Sequence, residues 1–232
     1  MPISLSALVP VRNVQAVLEP ALLRMLETLA ELTRPVELFV IDDGSTDATI
    51  EVASEMTVRY PQIRVIRYGQ TRGWAEAIRA GLAEATGQIL FLEEPGCRLP
   101  WEELPLLWNA VLKHPVVMGR PAGGGWTGGR AFPGGREQEG GTYQFVRRST
   151  LLRLAPRLTD GLSFREVLLQ EGIAWQERII SDRPRREYEV LYPAGRQPDS
   201  LPERTDQPQL QASPPNYLVH VIEEKVSEFS EE

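Results

Sequence analysis

Apolar residues follow one rhythm, then another, along the first half of the chain. Ile3 to Val11 places Ile3, Leu5, Ala7, Val9 and Val11 at every second position, the period of a strand, and breaks at Arg12-Asn13. From Pro20 to Leu32 the spacing turns helical, through Leu22, Leu23, Leu26, Leu29 and Ala30, with Pro20 in the first turn where its missing N–H is tolerated. Val36-Glu37-Leu38-Phe39-Val40-Ile41 reads as a buried strand that ends on Asp42-Asp43. Gly44 permits a sharp turn there. Ser45, Thr46 and Asp47 can each cap a helix running to about Tyr60. Ile63, Val65 and Ile66 make a third strand. Gly73 to Thr86 is a third helix with Ala77, Ile78, Gly81, Leu82 and Ala85 on one side, and Ile89-Leu90-Phe91-Leu92 is a fourth strand. This βαβαβαβ order with short connections predicts an α/β fold, a mainly parallel sheet with helices on both faces.

The second half is less regular. The fourth strand ends in Glu93-Glu94-Pro95-Gly96, and Leu99-Pro100 opens a helix carrying Leu104, Leu107, Trp108, Val111 and Leu112. Val116-Val117-Met118 is a fifth strand. Residues 119–141 are dense in glycine, with Arg120, Trp126, Arg130, Phe132 and Arg136 and no period. A stretch of this kind is a flexible loop. As a lid, its arginines would reach a diphosphate and its aromatics a sugar; as a plain insertion, they stay solvated. Thr142 to Val146 reads as a strand, Ser149 as the cap of a short helix through Leu154, and Asp160 to Glu171 as a helix with Phe164, Val167 and Leu168 inward. Ala174 to Ile180 is a late strand, followed by a basic cluster at Arg183, Arg185 and Arg186. The expected organisation is a domain over 1–190, a Pro-rich linker or arm over 191–216, and an amphipathic C-terminal helix over 217–232. That helix carries Leu218, Ile222, Val226 and Phe229 on one stripe, which would dock on the body or close a homodimer.

Charge and composition narrow the classes. Lys and Arg number 25 against 32 Asp and Glu, a net charge of −7, so no global basic footprint for nucleic acid is present. The single cysteine, Cys97, excludes an internal disulfide and suits a reducing compartment. No apolar run has the length of a membrane span. With no signal-like segment at Met1 onward, the expectation is a cytoplasmic protein. Widely spaced histidines and cysteine argue against a structural zinc site.

The candidate chemistry lies at the strand ends. Carboxylates at the carboxyl ends of strands face the crevice where open α/β sheets bind ligands. Asp42 and Asp43, side by side, can accept hydrogen bonds from a base N–H and from ribose hydroxyls; the alternative is that either one only caps the following helix.

These segments resemble the family 2 glycosyltransferases of the GT-A (Rossmann-like) fold. Leu8-Val9-Pro10-Val11-Arg12-Asn13 is similar to the family's opening strand and Pro-x-x-Asn loop. Val40 to Asp47 resembles its Val-Asp-Asp-Gly-Ser-x-Asp signature. Arg72-Gly73-Trp74-Ala75-Glu76-Ala77 with Gly81 resembles its Asn-x-Gly segment and helix. Ile89 to Pro100 resembles its strand, acidic metal motif and Leu-Pro. The likeness is good over residues 3–112, weaker over 141–190 and absent beyond. It implies transfer of a sugar, of hexosyltransferase type, from a UDP- or GDP-type nucleotide-sugar to an acceptor. Pro10, Asn13, Asp42 and Asp43 would hold the nucleoside, Arg72 would lie near the diphosphate, and Glu93 would accept a ribose hydroxyl. It also implies Mg²⁺ or Mn²⁺, but Glu93-Glu94-Pro95 stands where the family has Asp-x-Asp, and Pro95 offers no side-chain oxygen. Arg12 stands where an aromatic is common. Arg183, Arg185 and Arg186 could replace the metal against the leaving group. For the catalytic base, which must take a proton from the acceptor hydroxyl, the candidates are Asp160 and Glu166, each also readable as a helix cap or a solvated side chain. The altered motif leaves a second class open, a catalytically inactive GT-A domain that binds a nucleotide or a protein partner.

Overall fold

The computed structural model describes residues 3–94, 101–121 and 142–180. Pro95, residues 122–141 of the glycine-rich stretch, the arginines at 183, 185 and 186, the arm at 191–216 and the helix expected at 217–232 lie outside them. The elements in chain order are β1 Leu5–Val11, α1 Leu18–Leu32, β2 Val36–Asp43, α2 Thr49–Arg59, β3 Ile63–Tyr68, α3 Trp74–Glu84 and β4 Ile89–Glu93. A 3₁₀ turn at Trp101–Glu103 leads into α4 Leu104–Val111. Then come β5 Val116–Pro121, β6 Tyr143–Arg147, α5 Arg148–Leu154, α6 Phe164–Gln170 and β7 Gln176–Ile180.

The strands form one seven-stranded sheet in the order β3-β2-β1-β4-β6-β5-β7. β1 pairs in parallel with β2 and β4, β2 with β3, and β5 with β7; β6 runs against both β4 and β5. Alternation along each strand supplies two cores. Leu5, Ala7, Val9 and Val11 of β1 join Leu38 and Val40 of β2 beneath α1, α2 and α4. Leu8, Phe39, Ile41, Leu90 and Leu92 face the other way, against α3, α5 and α6. The expected mainly parallel sheet with helices on both faces is therefore the fold. The chain turns back on itself at β1, with β2 and β3 laid to one side and β4 to the other. In open α/β sheets this reversal places a crevice at the carboxyl ends of the strands.

Two local expectations are corrected. α5 begins at Arg148, ahead of Ser149, and has no side-chain cap. α6 is capped by Ser163, so Asp160 does not start it; its carboxylate goes to a different helix, described below.

Candidate functional site

The β1 and β2 loops are fastened together at the crevice. Asn13 adopts a left-handed backbone, φ 52°, a conformation that asparagine tolerates. Its N–H donates to Ser45 Oγ at 2.9 Å and its Oδ1 accepts from Thr46 N at 2.8 Å. Val14 N donates to Thr49 Oγ1 at 2.8 Å, Gln15 N to Asp47 Oδ2 at 3.2 Å, and Ala48 N to Gln15 Oε1 at 2.7 Å. Of the residues expected to cap α2, Asp47 bonds Thr49 N at 3.0 Å, while Ser45 and Thr46 serve this cross-loop zipper. Pro10 is buried on β1 in register with Ile41.

β2 runs through both aspartates, so their side chains leave opposite faces of the sheet. Asp42 is fully buried on the α1–α2 side; its Oδ1 accepts Ser45 N at 3.1 Å and its Oδ2 lies 3.8 Å from Arg67 Nε, across from it on β3. Burial pushes its carboxyl above the usual range, against the pull of Ser45 and Arg67. Asp43, also fully buried, faces α3: Oδ1 accepts Arg72 N at 2.7 Å and Oδ2 accepts Gly73 N at 3.1 Å. The two carboxylates are adjacent in sequence, but one fixes the turn and the other fixes the start of a helix.

That helix start is tied to β2, to β4 and to the segment ahead of α6. Thr71 Oγ1 donates to Asp43 O at 3.2 Å, and Trp74 Nε1 donates to the carbonyl of Glu93 at 2.7 Å, joining α3 to the tip of β4. Ala75 N donates to Asp160 Oδ1 at 2.8 Å. Arg79, farther along α3, donates to the carbonyls of Ala155 and Leu158 at 3.1 and 3.0 Å, which holds the α5–α6 connection in place for Asp160. Gly73 has φ 99° and ψ 166°, a glycine conformation, and a Cβ there would stand 1.8 Å from Asp160 Oδ2. The exposed Arg72 guanidinium carbon sits 4.8 Å from the centroid of the buried Tyr68 ring, at the end of β3.

The tip of β4 carries two glutamates with different fates. Glu94 is 9% exposed and faces the α6 side. Its Oε1 accepts Phe164 N at 2.6 Å; its Oε2 accepts from Thr142 N at 3.0 Å, from the Thr142 hydroxyl, and from Gln144 Nε2 at 3.4 Å. Burial still outweighs these bonds and raises its pKa. Glu93 keeps partial exposure, and its carboxyl has no hydrogen-bond partner among the described residues; burial pushes it up to about 8. Glu166 completes a capping box: its Oε2 accepts Ser163 N at 2.8 Å and its N–H donates to Ser163 Oγ at 3.3 Å.

A divalent cation needs several oxygen ligands. Position 95 is proline. Both oxygens of Glu94 are taken by donors, and those of Asp43 hold the α3 backbone. Among the described residues, no three Asp, Glu, His or Cys side chains gather as a metal site. The described donor set does not fit Mg²⁺ or Mn²⁺.

The structure thus brings Asn13, Asp42, Asp43, Arg72, Glu93 and Asp160 to one end of the sheet through linked bonds, and puts Glu166 in the α6 cap. Sequence reasoning missed Tyr68 and Trp74. Both had a signal: an aromatic at the last position of a strand, and another immediately after the Arg72-Gly73 break.

The family described as Glycosyl transferase family 2 matches this chain over residues 6–170. A dolichol-phosphate mannosyltransferase from Pyrococcus furiosus is 32% identical over 106 residues, covering 46% of this chain and 29% of its own length. A dolichol-phosphate mannosyltransferase from Saccharomyces cerevisiae is 27% identical over 120 residues, covering 51% and 45%. The chain therefore spans less than half the length of either relative. In fold, it is similar to glucosyl-3-phosphoglycerate synthase from Mycobacterium tuberculosis in complex with Mg²⁺ and UDP. The TM-score is 0.54 at 21% identity, over 80% of this chain and 72% of that one. A mannosyltransferase from Pyrobaculum calidifontis in complex with GDP-Man and Mn²⁺ gives a TM-score of 0.50 at 19% identity, over 81% and 59%. These likenesses give no support to the alternative of an inactive binding module. Among the described residues no helix is long and apolar enough to cross a membrane.

Proposed function

The chain belongs to glycosyl transferase family 2, and on that premise we propose that it takes a sugar from a UDP- or GDP-type nucleotide-sugar and passes it to an acceptor hydroxyl. Pro10, Asn13, Asp42, Asp43, Arg72 and Glu93 form the donor end of the site. The observation that carries this reading is the linkage of the strand tips: Asn13 to Ser45 and Thr46, Asp43 to Arg72 and Gly73, and Trp74 to Glu93 join β1, β2, α3 and β4 around one crevice at the chain reversal. Within it the residues divide the work. Asn13, Asp42 and Asp43 hold loop and helix backbone in place, which keeps the site preorganised. Glu93, whose carboxyl has no hydrogen-bond partner among the described residues, presents it to a ribose hydroxyl, and Arg72 presents a guanidinium to phosphate oxygens.

Transfer requires removal of the acceptor's proton as its oxygen attacks the sugar. Of the two carboxylates expected for this step, Asp160 is the better supported. It reaches the start of α3 beside Arg72 and Gly73 and is exposed, whereas Glu166 already serves the Ser163 cap. Asp160 Oδ1 is held by Ala75 N, which leaves Oδ2 to accept the proton. Calorimetric titration with UDP and GDP tests the donor end. Binding of either, weakened in Asn13→Ala and Glu93→Ala, is the expected result; heat of binding from neither nucleotide would remove this reading.

A further inference from the structure

We propose that the charge of the donor diphosphate is met by Arg72 rather than by a divalent cation, with Tyr68 and Asp43 as the positioning residues that hold Arg72 in place; this rests on the nucleotide-sugar reading above. A diphosphate buried in a crevice needs a counter-charge. The described carboxylates at the strand tips are already engaged: Glu94 accepts from Thr142, Gln144 and Phe164, Asp43 accepts from the backbone of Arg72 and Gly73, and position 95 is proline.

The arginines of β3 and α3 on either side of Arg72 differ from it in what they are free to do. Arg67 lies beside Asp42, at 3.8 Å, and Arg79 is bound to Glu76 at 2.5 Å and to two carbonyls. Arg72 makes no ion pair among the described residues. It is nonetheless fixed twice over: its N–H is bound by Asp43 at 2.7 Å, and its guanidinium lies over the Tyr68 ring at 4.8 Å. Tyr68 and Asp43 are themselves register partners on β3 and β2, and both are buried, so the two supports form one rigid unit. A guanidinium held at a ring face can still make two-point contact with phosphate oxygens. Ordering Arg72 before the ligand arrives removes part of the entropy that binding would otherwise have to offset. At the start of α3 the N–H groups of Gly73 and Ala75 are already taken by Asp43 and Asp160.

The test is titration of the whole chain with UDP and GDP, in EDTA and again with Mn²⁺, alongside uridine and guanosine followed by NMR. The expected Kd for the diphosphates agrees within about twofold between EDTA and Mn²⁺. Arg72→Ala weakens the diphosphates by about tenfold or more and leaves the nucleosides unchanged. Tyr68→Phe, which keeps the ring, behaves as wild type, and Tyr68→Leu weakens the diphosphates about threefold, again sparing the nucleosides. Arg72 is exposed, so its replacement leaves the fold intact. Dependence on Mn²⁺ beyond twofold overturns the inference, as does equal weakening of nucleoside and diphosphate in Arg72→Ala, which would make Arg72 merely structural. Failure of either nucleotide to bind under any condition instead removes the donor-site reading on which this stands.

Discussion

Replacing Gly73 by alanine separates the two constraints that meet at the start of α3. The first is backbone conformation. At φ 99° and ψ 166° an L-residue sits in a region open essentially to glycine alone, at a cost of about 1–3 kcal/mol. The second is space: the new Cβ would lie 1.8 Å from Asp160 Oδ2, so the carboxylate must withdraw and the bond to Ala75 N is lost. Losing such a helix cap costs about 0.5–2 kcal/mol. Gly73→Ala is therefore expected to destabilise the protein by about 1.5–5 kcal/mol, measured as the shift of the urea midpoint at constant slope. Gly161→Ala, where a Cβ meets nothing within 4 Å, is the control and should stay within about 0.5 kcal/mol of wild type. The double variant Gly73→Ala/Asp160→Ala should be less destabilised than the sum of the singles, by about the cap contribution, because the collision disappears with the carboxylate. A loss below about 1 kcal/mol in Gly73→Ala, or strict additivity with Asp160→Ala, would refute this reasoning.

Other outcomes follow from named contacts. Glu94→Gln sets an amide NH₂ among donors from Thr142, Gln144 and Phe164, and should cost about 1–3 kcal/mol, with faster amide exchange at Phe164. Glu93, raised from 4.5 to about 8 by burial, keeps a proton in the fold that the unfolded chain has released. Stability should thus fall as pH rises from 4.5 to about 8, and Glu93→Gln should flatten that decline in urea unfolding. At Glu37, burial raises the pKa but is outweighed by bonds from Ser6, Thr86 and Gly87, and the carboxyl lies below its ordinary 4.5. Its contribution is present above pH 4.5 and lost as pH falls through the lowered value, so Glu37→Gln should lose stability at neutral pH and less in acid. Phe145→Ala, which empties the contact with Phe91 at 5.1 Å and Trp108 at 5.6 Å, should cost about 3–5 kcal/mol by thermal unfolding.

The first four strands and three helices were legible because each is written in a local period, and Gly44 marks the turn after β2. What the local pattern could not carry was direction. Reading Asp42-Asp43 as a turn grouped them together; with β2 extended through both, the pleat sends them to opposite faces. Asp160 looked like the cap of the next helix because Gly161-Leu162-Ser163 follows it. Its real partner, Ala75 N, is 85 residues away and belongs to a helix that only the fold brings near. The Ser163-x-x-Glu166 spacing, by contrast, is a capping box readable from sequence alone, and it accounts for the glutamate that had been grouped with Asp160. Alternation at the end of β4 sets Glu94 opposite Glu93, but its donors at Thr142 and at the start of α6 were beyond the reach of any local pattern.

The most direct measurement is a crystal structure of the chain soaked with UDP or GDP. The expected result is a nucleotide lodged at the tips of β1, β2 and β4, its ribose against Glu93 and its phosphates against Arg72. A nucleotide bound on another surface, or one in this crevice with Arg72 turned away from its phosphates, would contradict it.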